Sequence, residues 1–268
     1  MSHTATLFLL TLGLFLGMVL FLEIGRRIGI RRMKEDSGGA GEGIGAVDGA
    51  VFALLGLLIA FTFSGASSRF DTRRQLIVEE TNDIGTAYLR LDLLPANAQP
   101  ALREMFRRYL DERIEVYRKL PDIAAAKEQL AKAVELQTQI WRQAVAASLS
   151  KDAPPQAPIL LLPALNAMID ITTTQTLATQ MHPPVIIFAM LFGLALAASL
   201  LAGYGMAGSK MRRWLHMVGF ALTMALAVYV ILDIEFPRLG LIRVDAFDQA
   251  LIDLRESMNQ DIQRPVQK

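Results

Sequence analysis

Cysteine is absent from the 268 residues, so no disulfide framework, thiolate nucleophile, zinc ribbon or iron–sulfur cluster can form. Histidine is scarce. His3, His182 and His216 stand too far apart to assemble a metal site by spacing, and neither an HExxH nor a GxSxG pattern occurs. Charge of one sign is also lacking: 27 Lys and Arg face 26 Asp and Glu, a net charge of +1 that gives no global field to recruit nucleic acid. No enzyme activity and no cofactor is expected. What the chain holds in excess is apolar surface, with 53% of residues hydrophobic and 20% charged, and that balance points to a membrane.

Residues 7–24 form an almost unbroken apolar run, long enough at 1.5 Å per residue to cross a hydrocarbon core of about 30 Å. Its charges (Arg26, Arg27, Arg31, Arg32 and Lys34) follow it, and no signal-peptide cleavage site is present, so it reads as a retained anchor. Further spans are expected at about residues 49–66, 185–206 and 214–232. The expected fold is all-α: a transmembrane hairpin over 1–66, a helical extramembrane domain over 67–183, a second hairpin over 184–233 and an amphipathic tail over 234–268.

Within the extramembrane stretch Phe70, Ile77, Ile84 and Leu91 repeat every seven residues, the face of a helix that continues from the second span. Pro95 and Pro100 are expected to end it. A next helix presents Leu102, Phe106, Tyr109, Val116, Tyr117 and Leu120, and a third, started by Pro121, carries Leu130, Val134 and Trp141. The breaker KDAPPQAP separates these from a helix over about 159–180, which meets the third span at His182-Pro183-Pro184. In the tail, Phe247, Leu251, Leu254, Met258 and Ile262 share one face opposite a mainly acidic one, so the tail should pack on protein and not on anionic lipid.

Basic residues resist translocation. Eight Lys and Arg lie in the two short loops between paired spans (Arg26, Arg27, Arg31, Arg32, Lys34, Lys210, Arg212 and Arg213), against five on the other side (Arg69, Arg73, Arg74, Arg238 and Arg243). That bias places the short loops in the cytoplasm and the helical insert outside a cell (inner) membrane.

The glycine-rich GGAGEGIGAVDGA lacks the spacing of a phosphate loop. The third glycine of a dinucleotide fingerprint falls on Ala46, no strand precedes it and no Lys-Ser/Thr pair follows. A flexible loop is expected, with Asp48 at the positive end of the second span. That span carries the most informative pattern. Gly45, Gly49, Ala53, Gly56, Ala60, Ser64 and Ser67 recur at intervals of three and four as one stripe of small residues. Such a stripe serves close helix packing or the wall of a pore, and the spacing leaves both open. Ala189, Gly193, Ala197 and Ala198 give the third span a weaker version. Beyond the membrane the stripe extrapolates to Asp71, Gln75, Asn82 and Thr86, an ordinary solvated face or the vestibule of a conduit. Asn166, Asp170 and the run Thr172 to Thr174 are candidate buried partners of Arg73 or Arg90.

The stretches VFALLGLLIAFTFSGASSRFDTRRQLIVEETNDIGTAYLRLDLLP and LDIEFPRLGLIRVDAF, with the helix around PALNAMID, resemble the bestrophin-like family of uncharacterised bacterial multi-pass membrane proteins. The resemblance implies the arrangement of two spans, a helical insert and two spans, shared with bestrophins, which are pentameric ion channels. Carried onto this sequence, it makes Gly49, Ala53, Gly56, Ala60, Ser64 and Ser67 pore-lining, and implies a homo-oligomer whose partners are its own copies, the bilayer and inorganic ions. Asp71, the first charge met by the stripe, favours a weak cation preference, with Arg74 one turn on as its counterweight. A non-conducting scaffold or sensor whose insert binds a partner is the rival expectation.

Overall fold

The protein is described by a computed structural model covering residues 3–35, 44–208 and 214–263. Every regular element among the described residues is helical: α1 (His3–Glu35), α2 (Ile44–Leu89), α3 (Gln99–Lys119), α4 (Ile123–Ser148), α5 (Gln156–Gln180), α6 (Val185–Gly205), α7 (Trp214–Glu235) and α8 (Gln249–Gln263). Four helical stretches are long and apolar enough to cross a membrane. In hydrocarbon every backbone polar group must be satisfied internally, which selects helices. Side-chain hydroxyls there bond back to their own helix, as Thr11 does to the Leu7 carbonyl (2.9 Å) and Ser199 to that of Ala195 (2.7 Å).

The chain forms two compact units, Met1–Phe70 with His182–Ile242, and Asp71–Met181 with Arg243–Lys268. In the first, α1 packs on both α6 and α7. Leu7, Leu14, Met18 and Leu22 of α1 meet Leu191, Ala195 and Ala198 of α6 and Met217, Ala221, Val228 and Leu232 of α7. The seam between α1 and α6 closes on glycine. A Cβ built on Gly25 would lie 2.0 Å from the Leu200 carbonyl oxygen, and one on Gly203 would lie 2.0 Å from that of Leu22. A Cβ on Gly29 would lie 2.6 Å from that of Ala207, just past the end of α6. Small residues four apart let two backbones touch where lipid supplies no hydrophobic drive.

In the second unit the seven-residue repeat holds: Ile77, Ile84 and Leu91 are buried, together with Ala87 and Tyr88. Leu102, Phe106 and Tyr109 of α3 are buried as expected. In the tail Leu251 and Met258 are fully buried, Leu254 approaches Gly85, and Arg255 donates to Asp111 at 2.8 and 3.0 Å.

Several expectations need correction. The first basic segment is not a loop, because α1 stays helical to Glu35, supported by the Glu23–Arg27 pair at 2.8 Å and the glycine seam. The glycine-rich segment is helical from Ile44, which puts Asp48 beyond the first turn of α2; residues 38–43 lie outside the described residues, as do Lys210, Arg212 and Arg213. Pro100 does not end a helix but sits in the first turn of α3, where its missing N–H costs nothing. Asp122, whose carboxylate accepts from the Ala125 N–H at 3.0 Å, caps α4, not Pro121. The buried face of α4 is Ala126, Ala133, Leu136, Gln137, Ile140 and Ala144, while Val134 is 47% exposed. Three of the six are alanines, so side-chain size alone does not mark the inner face of this helix, which packs on α3 and α5. Asn166 and Asp170 are exposed; Arg73 reaches the carbonyls of Ala178 and Met181 at the end of α5, and Arg90 that of Leu160.

Candidate functional site

The stripe on α2 is the candidate. Its sequence keeps one face free of side chains larger than a hydroxymethyl from Gly45 to Ser67, and helical geometry turns that into a smooth wall. Gly49, Ala53, Gly56, Ala60 and Ser64 are exposed and Ser67 is half-buried. Beyond its chain neighbours and the adjacent backbone of α2 itself, nothing would come within 4 Å of a Cβ on Gly45, Gly49 or Gly56. The most apolar stretch of α2 is only 6% buried, against 28% for α1 and 39% for α7. The protomer touches this half of α2 on the opposite side, through Leu55 and the partly buried Val51, Phe52, Leu58 and Ile59, with Phe52 edge-on to Phe220 at 6.2 Å. The third-span stripe behaves similarly in part: Ala189, Gly193 and Ala197 are exposed, while Ala198 is buried.

Further along α2, Asp71, Gln75, Asn82 and Thr86 are all exposed. Asp71 accepts from Arg74 Nη1 at 3.1 Å, and the Arg74 guanidinium also lies over the Phe247 ring, 4.3 Å from its centroid. Glu79, on the same side of the helix, is exposed as well.

The buried carboxylate of α2, Glu80, was missed by sequence reasoning. Glu80 is fully buried and accepts from Arg113 Nε at 2.5 Å; the Tyr117 hydroxyl lies 2.8 Å from its other oxygen. Arg113 Nη2 donates to Gln175 Oε1 at 2.8 Å, and Gln175 Nε2 in turn to the Leu76 carbonyl at 2.8 Å. Burial, the largest single influence, would lower the Arg113 pKa, but the Glu80 carboxylate together with the Tyr117 and Tyr109 phenols outweighs it and pushes the pKa above its ordinary value. A second buried group joins Tyr109, Thr172 and Gln137 at 2.9–3.2 Å, and burial pushes the Tyr109 phenol up. At the end of α7 the fully buried Glu235 takes Arg69 Nε at 3.0 Å and Nη2 at 2.7 Å, and His182 Nδ1 lies 2.9 Å away. The neighbouring Asp233 accepts from the Leu241 and Ile242 N–H groups at 2.9 and 2.7 Å, and Gly240 lies so close to its carboxylate that a Cβ would clash at 2.3 Å. Two acids in the last turn of an otherwise apolar span were the signal available, since ionisable groups at such positions are seldom left without partners.

The model of the bestrophin-like domain matches residues 8–246. No curated protein matches this chain. Among solved structures, a point-substituted form of a bacterial bestrophin homologue from Klebsiella pneumoniae superposes with a TM-score of 0.63 at 13% identity, covering 89% of this chain and 98% of its own. Another substituted form gives 0.64 at 13% identity, with 92% and 98% covered. A structure described only as a membrane protein gives 0.64 at 14%, covering 91% and 98%. At such identities the likeness is one of fold.

Proposed function

This chain belongs to the bestrophin-like family, and from that premise we propose that it is a homo-oligomeric ion channel in which copies of α2 surround the conduction path. One observation carries the reading: the small-residue stripe on α2 is left uncovered by its own chain over the whole length of the span. Gly49, Ala53, Gly56, Ala60, Ser64 and Ser67 then line the pore, and Asp71, Gln75, Asn82 and Thr86 its vestibule. The acids on that exposed side, Asp71 and Glu79, give a weak cation preference, moderated by the Asp71–Arg74 pair. The test is oligomer mass in detergent together with ion flux in liposomes. An oligomer that passes no ions returns the protein to the rival reading of a membrane scaffold or sensor; a monomer overturns the axial role of α2.

The basic bias between the paired spans, most of it on the end of α1, supports an insert outside the cytoplasm. With no native cysteine, Ser37→Cys and Ser150→Cys each carry one label. An impermeant thiol reagent applied from outside should modify Ser150→Cys and spare Ser37→Cys; the reverse pattern puts the insert inside.

A further inference from the structure

The outer face of α1 changes character along its length. Leu9, Leu12, Leu16 and Leu20 form an exposed row at spacings of three and four, and the same row continues through Glu23 to Arg27, Arg31 and Lys34. The opposite face is fixed against α6 by Gly25 and Gly29, so the helix cannot rotate to bury these cations. Glu23 is answered by Arg27 at 2.8 Å, whereas Arg31, Arg32 and Lys34 have no ion pair among the described residues. We propose that Arg27, Arg31 and Lys34 form a binding site for the phosphate groups of anionic phospholipids, held where the lipid-facing leucines end.

The apolar run from Leu7 to Ile24 covers about 26 Å of hydrocarbon on a helix rising 1.5 Å per residue, and the basic row from Arg27 to Lys34 begins about 5 Å beyond it, where the headgroups lie. Arg is suited to phosphate because its planar fork donates two hydrogen bonds at once. The row lies on a convex helix face with no enclosing wall, so a dense phosphate layer satisfies it better than one dissolved anion. Arg26 and Arg32 flank the row and add to its field. The inference rests on membrane insertion alone and is independent of conduction.

The measurement uses full-length protein carrying Trp141→Phe, which leaves Trp214, at the start of α7 on the membrane side where α1 ends, as the only reporter. Its fluorescence is quenched in vesicles of phosphatidylcholine and phosphatidylglycerol in which one or the other lipid is brominated. Phosphatidylglycerol should be enriched around the protein, with the preference falling roughly fivefold per charge removed and vanishing in the triple variant Arg27→Gln/Arg31→Gln/Lys34→Gln. Arg27→Lys/Arg31→Lys should retain most of it. If the triple variant does not fold, Arg31→Gln/Lys34→Gln must still show a partial loss. Equal quenching by the two lipids, or a preference unchanged in the variants, overturns the site. Loss of the preference on adding millimolar inorganic phosphate would assign the row to a soluble anion instead and overturn the lipid reading.

Discussion

The two halves of α2 are held in opposite ways, although one unbroken helix makes both. Beyond Phe70 the helix is gripped: Ile77, Ile84, Ala87 and Tyr88 are buried, and Glu80 is locked to Arg113. Before Phe70 its own chain touches it along one side, and the side carrying glycine, alanine and serine is bare. Firm anchorage outside the bilayer thus accompanies a free wall within it. A helix that its own protomer covers so little within the bilayer relies on lipid or on neighbouring copies.

The largest break in this contrast comes from the gripped half. Arg113→Met strands a fully buried carboxylate, and removal of one member of such a pair costs about 3–5 kcal/mol. Denaturant unfolding of the whole protein in detergent should show that loss, and Glu80→Leu/Arg113→Met should recover most of it. Next is a small-residue contact that the chain does cover. Gly203→Ala pushes a methyl into the Leu22 carbonyl, and overpacking of this kind costs about 1–3 kcal/mol, readable as a lower unfolding temperature. Gly56→Leu is its counterpart on the bare face. With nothing within 4 Å it should leave protomer unfolding unchanged while dissociating the oligomer or abolishing flux, and Leu57→Ala, on a different face, should do neither. Equal tolerance of Gly203→Ala and Gly56→Leu would erase the distinction between covered and uncovered stripes. The smallest effect is electrostatic. Asp71→Arg should shift the reversal potential in a salt gradient towards anion preference, modestly because Arg74 already offsets the native carboxylate; an unchanged potential removes Asp71 from the permeation path.

Much of this was readable in the amino-acid sequence because membranes and heptads impose simple periods. The third and fourth spans were placed within three residues of α6 and α7, and the seven-residue spacing from Ile77 to Leu91 carried α2 out of the second span. What resisted reading has physical causes. The Glu80–Arg113 pair joins residues 33 apart on exposed-looking helices, and no local pattern announces it. The α1–α6 seam hid because Gly25 and Gly29 sit among arginines, where charge suggests a loop. The large side chains of α4 point to the wrong face because Ala126, Ala133 and Ala144 share its buried side. As for the stripe, its existence was plain but its fate was not: glycines four apart look alike in a sequence whether another backbone covers them or not.

The glycine seam has a genetic consequence. At Gly25, Gly29 and Gly203 the space beyond the α-carbon is already filled by atoms of the facing segment at 2.0–2.6 Å, so each of the nineteen alternative residues meets the same obstacle at its first carbon. In a saturation library scored by survival of folded protein, these three codons should read as isolated columns of intolerance, blind to whether the incoming residue is polar, apolar or charged. The exposed arginines at 27 and 31, beside two of those columns, should accept nearly every change. Such a record of inheritance, with two intolerant columns four codons apart in α1 and one in α6, would let the crossing of the two helices be recovered from variant frequencies alone.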